Sequence, residues 1–241
     1  MQLLWGEDRT LTKRSVASNE DIWPPLTILE LCRRAYFEEF VRKQDRLMHS
    51  AAVGTIYLGA FRVNEVTGLL RSQFRHRSSL EKRDFIVIEK ARIEKTGGRI
   101  RNVAIYPGDP ISVPLEAHLK QLDERAGGEQ DCLVFPVSDK TVLNVLDRIS
   151  EGEAWTHLLR AMRDRFLSTA FDQKERKKIV GWSAGQKGRS WRFGEVEDRY
   201  AGLNWMFYAD RLAKLSDSYW ETEQLSPELV SWLGSLRELM V

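Results

Sequence analysis

Apolar residues recur at helical spacing along most of this chain of 241 residues. Residues three or four positions apart share one face of a helix, so this spacing is typical of amphipathic helices that pack on a common core. Thr27 and Ser138 stand where side chains often cap a first turn, and Ser226-Pro227 is a helix-start signature. The pattern predicts helices over Ile28–Lys43, His49–Leu70, Leu115–Arg125, Asp139–Ile149, His157–Phe171, Gln173–Val180 and Glu195–Leu215, and a last helix with Leu229, Leu233, Leu236 and Met240 on one face.

Two segments carry β-type residues instead. Asp84–Glu94 and Ile100–Tyr106 are rich in Ile and Val and can alternate between two faces, and the turn signal Lys95-Thr96-Gly97-Gly98 separates them. They predict a β-hairpin with Lys95 at its tip, and Leu133–Pro136 is predicted to be one further short extended piece. The sequence thus predicts a mainly α fold with a small antiparallel β-hairpin or sheet, of the α+β class. Residues 1–22 are expected to form a polar tail or linker ahead of it.

Composition narrows the class of protein. Hydrophobic residues make up 42% and charged residues 30%, which is typical of a soluble globular chain. The longest apolar run, near Ala51–Phe61, is too short to span a bilayer, and Met1–Ser18 lacks a cleavable apolar leader. Cys32 and Cys132 lie far apart, and the sequence contains no recognisable metal or nucleotide motif. We therefore expect a cytoplasmic protein that does not enter a membrane and needs no metal or other cofactor.

The charge is unevenly distributed. Arg71–Arg101 holds ten Lys or Arg against four Asp or Glu, and Thr156–Arg192 holds ten against three. The whole chain has a net charge of only +2, which leaves −11 for the rest. Such segregation predicts a basic face over an acidic body, which would steer a polyanion such as nucleic acid to one side. The alternative is that the two segments are ordinary solvated faces of a helix and a hairpin.

Three residues stand out as candidate chemistry. Arg62 interrupts an apolar helical region, so it either pairs with nearby Glu65 or faces a functional cavity. His157 and Arg160 are three apart and share one helix face. A proton carrier that works near neutral pH, placed beside a permanent cation, suits the binding of a phosphate.

The order of these residues is similar to that in one known family. Gly59–Leu69 resembles the G-x-R-x-x-E box around the first arginine of the tyrosine recombinases, the phage-integrase-type site-specific recombinases. Lys95–Arg99 resembles their K-T-G-x-R hairpin, Gly181–Ser183 their G-[HW]-S turn, and Arg199-Tyr200 their R-Y nucleophile. The resemblance implies six catalytic residues: Arg62, Lys95, His157, Arg160, Trp182 and Tyr200.

The resemblance covers roughly Leu26 to the C terminus, and it implies that 23–241 form a catalytic domain that includes the C-terminal helix. There are departures from the family pattern. Tyr200 lies eighteen residues after Trp182, about twice the usual separation, so Tyr208 and then Tyr219 are the alternative nucleophiles. Ala161 replaces a common histidine, and the family's separate DNA-clamping domain is expected to be absent or reduced to the first twenty-odd residues.

The resemblance also implies a function. A tyrosine would attack a phosphodiester of double-stranded DNA to give a 3′-phosphotyrosine, with arginines on the phosphate, His157 as the proton acceptor and Lys95 as the proton donor. The chain would then be a site-specific recombinase or integrase that associates with the nucleoid and assembles as a dimer or tetramer on DNA. Its last helix would dock on a neighbouring protomer. A DNA-binding protein that has lost cleavage, and a type IB-like topoisomerase, are the alternatives.

Overall fold

The computed structural model describes residues 23–93, 99–126, 132–181 and 205–240. Within them the chain is mostly helical, with one small antiparallel sheet, which confirms the α+β class. The helices are α1 (Pro25–Phe37), α2 (Arg46–Leu58), α3 (Val63–Thr67), α4 (Val113–Ala126), α5 (Asp139–Ile149), α6 (Thr156–Leu167), α7 (Gln173–Val180), α8 (Met206–Thr222) and α9 (Pro227–Glu238). The strands are β1 (Phe74–Ser78), β2 (Asp84–Ile93) and β3 (Arg99–Ile105).

Helix α1 differs from the prediction at both ends. It begins at Pro25 rather than after Thr27, because a proline needs no N–H partner in the first turn and its fixed φ already suits a helix. It ends at Phe37, where Glu38 adopts an extended backbone and the chain turns through Val41 towards α2. The predicted continuation to Lys43 is therefore wrong.

Helix α2 is the centre of the core. All of its residues from Leu47 to Leu58 are buried, as expected for a helix whose neighbours cover every side. It contacts α1, α4, α5 and α6. Gly54 also permits a close approach to the turn before α4, because a Cβ there would lie 2.8 Å from the carbonyl oxygen of Ile111. Since α2 is fixed so firmly, the turn that leaves its C-terminal end has a defined position.

The sheet has the order β1-β2-β3, with all neighbours antiparallel. The predicted hairpin is confirmed as β2 and β3, in a register that pairs Ile86 with Ile105 and Ile88 with Val103. Beyond Ile88 the register shifts by a bulge, so that Ala91 stands opposite Arg101. Strand β1 was not predicted, because Phe74 is its only buried residue and the other four are exposed.

Helix α8 is anchored at both ends. Near its start, the buried Asp210 accepts hydrogen bonds from the hydroxyl of Ser79 and the backbone N–H of Glu81 in the β1–β2 turn. Near its end, Ser216 and the indole of Trp220 donate to the buried Asp109 at 2.9 and 3.2 Å. Burial raises the pKa of Asp109. These bonds fix α8 against both the sheet and the helical core.

Most of the helices share one core. A single cluster of buried apolar side chains extends from Ile28 in α1 to Leu236 in α9 and includes residues of β2 and β3. The described residues contain no helix that combines the length and the apolar character needed to cross a membrane. The predicted tail, 1–22, lies outside the described residues.

Candidate anion-binding site

The turn after α2 places Arg62 at the start of α3. Ala60 in this turn has a positive φ of 49°, which is uncommon for a residue with a Cβ. A side chain at Gly59 would begin 2.2 Å from the ring of Phe61, so the turn requires glycine there. Arg62 follows with an extended backbone and caps α3. A strained turn at the end of the most buried helix thus determines where Arg62 lies.

Arg62 pairs with Glu65 one turn later. The Nη1 of Arg62 lies 2.8 Å from Oε1 of Glu65, and the backbone N–H of Arg62 donates to Oε2 at 2.8 Å. The Glu65 side chain is 2% exposed and the Arg62 side chain 19%. Of the two sequence interpretations of Arg62, the ion pair is therefore present. Part of the guanidinium nevertheless remains open to solvent, so the pair does not exclude a ligand.

Arg160 lies close to this pair although it is 98 residues further along the chain. It is 5% exposed, and its Nη2 donates to the carbonyl oxygen of Val180 at 3.3 Å. Its Nε has no hydrogen-bond partner among the described residues. The pKa of Arg160 is lowered to about 10, chiefly by burial and then by the positive charge of Arg62, while Glu65 opposes both. Arg160 therefore keeps its charge at neutral pH in a site that disfavours it.

His157 stands at the outer end of the same helix face. It occupies the first turn of α6 and is exposed, whereas Arg160 one turn later is buried. The shared face thus runs from the surface at His157 to the interior at Arg160.

Arg101 is a third cation of this cluster, and the sequence interpretation missed it. It is 8% exposed, and its guanidinium carbon lies 4.7 Å from the centre of the Phe61 ring. Burial lowers its pKa to about 10; Glu65 raises it, and Arg160 and Arg62 lower it. A sequence signal was available: Arg101, Val103 and Ile105 occupy every second position of β3 and so share one face, and Val103 and Ile105 are apolar.

The cluster carries an excess of positive charge. Arg62, Arg101 and Arg160 interact electrostatically with one another and with a single buried carboxylate, Glu65. Three guanidinium groups and one carboxylate leave a net charge of about +2 in a partly desolvated place, where Coulomb interactions are stronger than in water. Such a cluster is suited to a compact anion with more than one oxygen, because arginine donates to planar or tetrahedral oxyanions through paired N–H groups.

The other candidate residues are distributed differently. Lys95, Trp182 and Tyr200 lie outside the described residues. The hydroxyl of Tyr208 donates to the carbonyl oxygen of Asn102 at 3.3 Å. The hydroxyl of Tyr219 accepts from the backbone N–H of Leu26 at 3.2 Å, away from the arginine cluster. Of the predicted six, the described residues bring Arg62 and Arg160 together, and His157 lies one helical turn before Arg160.

The two basic segments contribute less exposed charge than their composition suggests. Arg101 and Arg160 are buried, and Arg71, Arg77 and Arg176 pair with acidic residues. Exposed basic residues remain on both segments: Arg75, Lys82, Lys90, Arg165, Lys174 and Lys178. The charge of the two segments is therefore partly internal and partly on the surface.

No metal site is evident at this place or elsewhere in the part of the chain that the structure describes, where no three His, Cys, Asp or Glu residues are grouped to hold an ion. A comparison of the chain with protein-family models, curated proteins and solved structures found no match. The arginine cluster itself is therefore the basis for any functional statement.

Replacing Glu65 by glutamine should make stability depend on phosphate. Glutamine can keep the capping geometry, but three guanidinium groups then lack their carboxylate, and we expect a loss of about 2 kcal/mol in the free energy of unfolding. Inorganic phosphate should recover part of this loss by supplying the missing negative charge. Urea denaturation in chloride and in phosphate buffers of equal ionic strength measures both effects.

Glu89→Gln is the matched control. Glu89 pairs with Arg77 at 2.8 Å, but its side chain is 32% exposed, so the change should cost under about 1 kcal/mol and respond equally to both buffers. Equal losses for Glu65→Gln in the two buffers would argue against an anion site beside Glu65.

Proposed function

We propose that this chain is a DNA strand-breaking and rejoining enzyme of the tyrosine recombinase type. One observation carries the proposal: Arg62 and Arg160, far apart in sequence, interact electrostatically in a cluster with excess positive charge, and His157 lies on the face that leads to it. The first arginine of the sequence resemblance and the arginine of its H-x-x-R pair therefore interact, which supports the proposal. That support comes from residues whose position is described and is independent of the tyrosine assignment.

The charge of the cluster suits this reaction. A DNA phosphodiester carries one negative charge, and its pentacoordinate transition state carries about two. Positive groups that match the charge of the transition state better than that of the ground state lower the barrier. Arg62 and Arg160 would contact the non-bridging oxygens, and the partly open guanidinium of Arg62 provides N–H groups for them.

The proposed reaction is a pair of transesterifications. The phenolic oxygen of Tyr200 attacks phosphorus, a new O–P bond forms, and the bond from phosphorus to the 5′-oxygen breaks. His157 takes the phenolic proton and Lys95 gives a proton to the 5′-oxygen, which leaves as a hydroxyl. A 5′-hydroxyl of another strand then reverses these steps. Trp182 would donate its indole N–H to the phosphate, and the covalent intermediate retains the energy of the phosphodiester, so no nucleotide is consumed.

Trapping of a covalent adduct tests the proposal. The protein is incubated with a pool of random-sequence DNA duplexes, each with a nick that lets the cleaved end diffuse away and so prevents rejoining. We expect a protein–DNA band that survives denaturing electrophoresis and disappears after protease treatment, and sequencing of the attached DNA should reveal a preferred site. Binding without any adduct would contradict the enzyme and favour the inactive DNA-binding alternative. Relaxation of supercoiled DNA at many unrelated sites would favour the topoisomerase alternative.

A second part of the proposal concerns assembly. Strand exchange needs at least two active sites on one DNA complex, so dimers or tetramers are expected on DNA that contains the preferred site. Sedimentation of the protein with and without that DNA measures this directly, and a strictly monomeric complex would contradict it.

A further inference from the structure

Arg101 differs from the other two arginines of the cluster in what it contacts. Its Nη2 donates to the carbonyl oxygens of Gly59 at 2.7 Å and Ala60 at 3.5 Å, and its Nη1 donates to the carbonyl oxygen of Ile179 at 2.6 Å. All three acceptors are backbone atoms. They belong to two segments, the turn before Arg62 and the end of α7, and Arg101 itself lies on a third, β3. One buried guanidinium therefore joins three parts of the chain.

The end of α7 also holds Arg160. The last carbonyl groups of a helix have no partner within the helix and carry partial negative charge. Arg101 takes the carbonyl of Ile179, and Arg160 takes that of the next residue, Val180, at 3.3 Å. Because these two carbonyls are neighbours on one rigid helix end, the positions of the two guanidinium groups are linked to each other.

The turn before Arg62 depends on the same guanidinium. Ala60, with its positive φ of 49°, is held there at a cost of about 1 kcal/mol or more. Such a conformation persists only when surrounding contacts favour it. Arg101 provides such contacts through its hydrogen bonds to two carbonyl oxygens of this turn. Phe61 packs against the same group, with its ring centre 4.7 Å from the guanidinium carbon.

We infer that Arg101 is a positioning residue that fixes Arg62 and Arg160 relative to each other, and so sets the spacing of the two groups that bind phosphate. The inference rests on the proposed anion site. Arg101 acts through the backbone of its neighbours: the two N–H groups that it directs at them are occupied by carbonyls. A lysine could not replace it, because a single ammonium cannot reach two segments with the planar fork of a guanidinium.

Gly181 gives a second, independent line of support. It ends α7 in the left-handed conformation with φ +73°, and a Cβ there would lie 2.9 Å from both Cδ and Nε of Arg101. Glycine is needed at this position for its backbone and also because the Arg101 side chain passes directly over it. The end of α7 and the buried arginine are therefore fitted to each other.

The test uses two variants, each with a matched control. Arg101→Lys is compared with Arg163→Lys, since Arg163 is also a buried arginine but faces the rings of Tyr57 and Phe166. Gly181→Ala is compared with Gly152→Ala, because Gly152 has a similar φ of +84° but a Cβ there would meet only an atom of Asp147 at 3.9 Å. The second pair equalises the backbone strain and isolates the contact with Arg101.

Two measurements are made on the full chain. Isothermal titration with inorganic phosphate gives the affinity of the site, and the trapping assay on nicked DNA gives the rate of adduct formation. We expect Arg101→Lys and Gly181→Ala to weaken phosphate binding about tenfold and to slow adduct formation about 10²-fold, as small displacements of binding groups do. The affinity for bulk DNA should stay within about twofold, since phosphate contacts elsewhere provide it. Both control variants should match the unchanged protein.

The outcomes separate this inference from the proposed function. If the unchanged protein binds phosphate and Arg101→Lys weakens that binding, but no adduct forms on any DNA, the inference stands and the recombinase proposal fails. If phosphate affinity and adduct rate survive both Arg101→Lys and Gly181→Ala, Arg101 does not position the site. Equal losses in the Gly181 and Gly152 variants would also overturn the inference, as would failure of the unchanged protein to bind phosphate.

Discussion

Tyr200→Phe is expected to abolish the covalent protein–DNA adduct while leaving DNA binding intact. The replacement keeps the ring and removes only the oxygen that forms the bond to phosphorus, so no adduct should be detectable even after long incubation. DNA affinity should change less than about twofold, because the replacement removes no positive charge that could contact phosphate. The trapping assay and a binding titration on the same DNA measure the two effects side by side.

Tyr208→Phe and Tyr219→Phe are the natural controls. Burial raises the pKa of each hydroxyl to about 12, which makes each harder to ionise than an exposed tyrosine. Both hydroxyls already bond to backbone groups, Tyr208 to Asn102 and Tyr219 to Leu26. Each replacement should cost about 1 kcal/mol of stability and leave the adduct in place.

One result would reassign the nucleophile. Tyr208 is the alternative of interest, because the charge of Arg101 acts on its hydroxyl and connects it to the arginine cluster. An adduct that persists in Tyr200→Phe and vanishes in Tyr208→Phe would make Tyr208 the attacking residue. It would also require the Asn102 bond to open during the reaction.

Local sequence signals predicted the elements whose stability is local. Ser138 and Ser226 accept hydrogen bonds from the backbone N–H three residues later, at the starts of α5 and α9. Helix α7 runs over its predicted range, Gln173–Val180, with an Asp172–Glu175 capping box at its start and Gly181 at its end. In each case the residues that define the boundary are adjacent in sequence, so the pattern contains the necessary information.

Strand β1 has no comparable local signal in the sequence. Its residues after Phe74 are polar and exposed, and the strand exists because its backbone pairs with β2. The hydrophobic pattern does not predict that pairing, because a strand with one buried residue has no apolar face. The same holds for the start of α1, where the backbone preference of Pro25 overrides the capping tendency of Thr27.

The candidate site was predictable to a similar extent. His157 and Arg160 share a helix face by spacing alone, but the proximity of Arg160 to Arg62 was expected only from the family resemblance. Arg101 could have been identified as a charge on the apolar face of β3. Its role could not be predicted from the sequence. Its partners are the carbonyl oxygens of Gly59, Ala60 and Ile179, and every residue type has a carbonyl.

Arg160→Met is expected to slow adduct formation by about 10²–10³-fold without lowering stability. The loss of rate is the usual effect of removing one preorganised donor from the charge of a transition state. Stability should be unchanged or rise by about 1 kcal/mol, because the guanidinium is buried beside the like charge of Arg62. Urea denaturation and the trapping assay on the same preparations give both quantities.

Arg163→Met should behave in the opposite way, although it lies one turn along the same helix and is 3% exposed. Its charge stabilises the ionised carboxylate of the buried Asp109, so its removal leaves that carboxylate with hydrogen bonds but without this positive charge and should cost about 2–3 kcal/mol. Its adduct rate should equal that of the unchanged protein. A buried charge that reduces stability and is needed for reaction with phosphate belongs to a binding site, whereas one that contributes stability and is dispensable for reaction belongs to the core. If Arg160→Met instead lost stability and kept its adduct rate, Arg160 would be a structural residue. The arginine cluster would then not be a DNA-binding site.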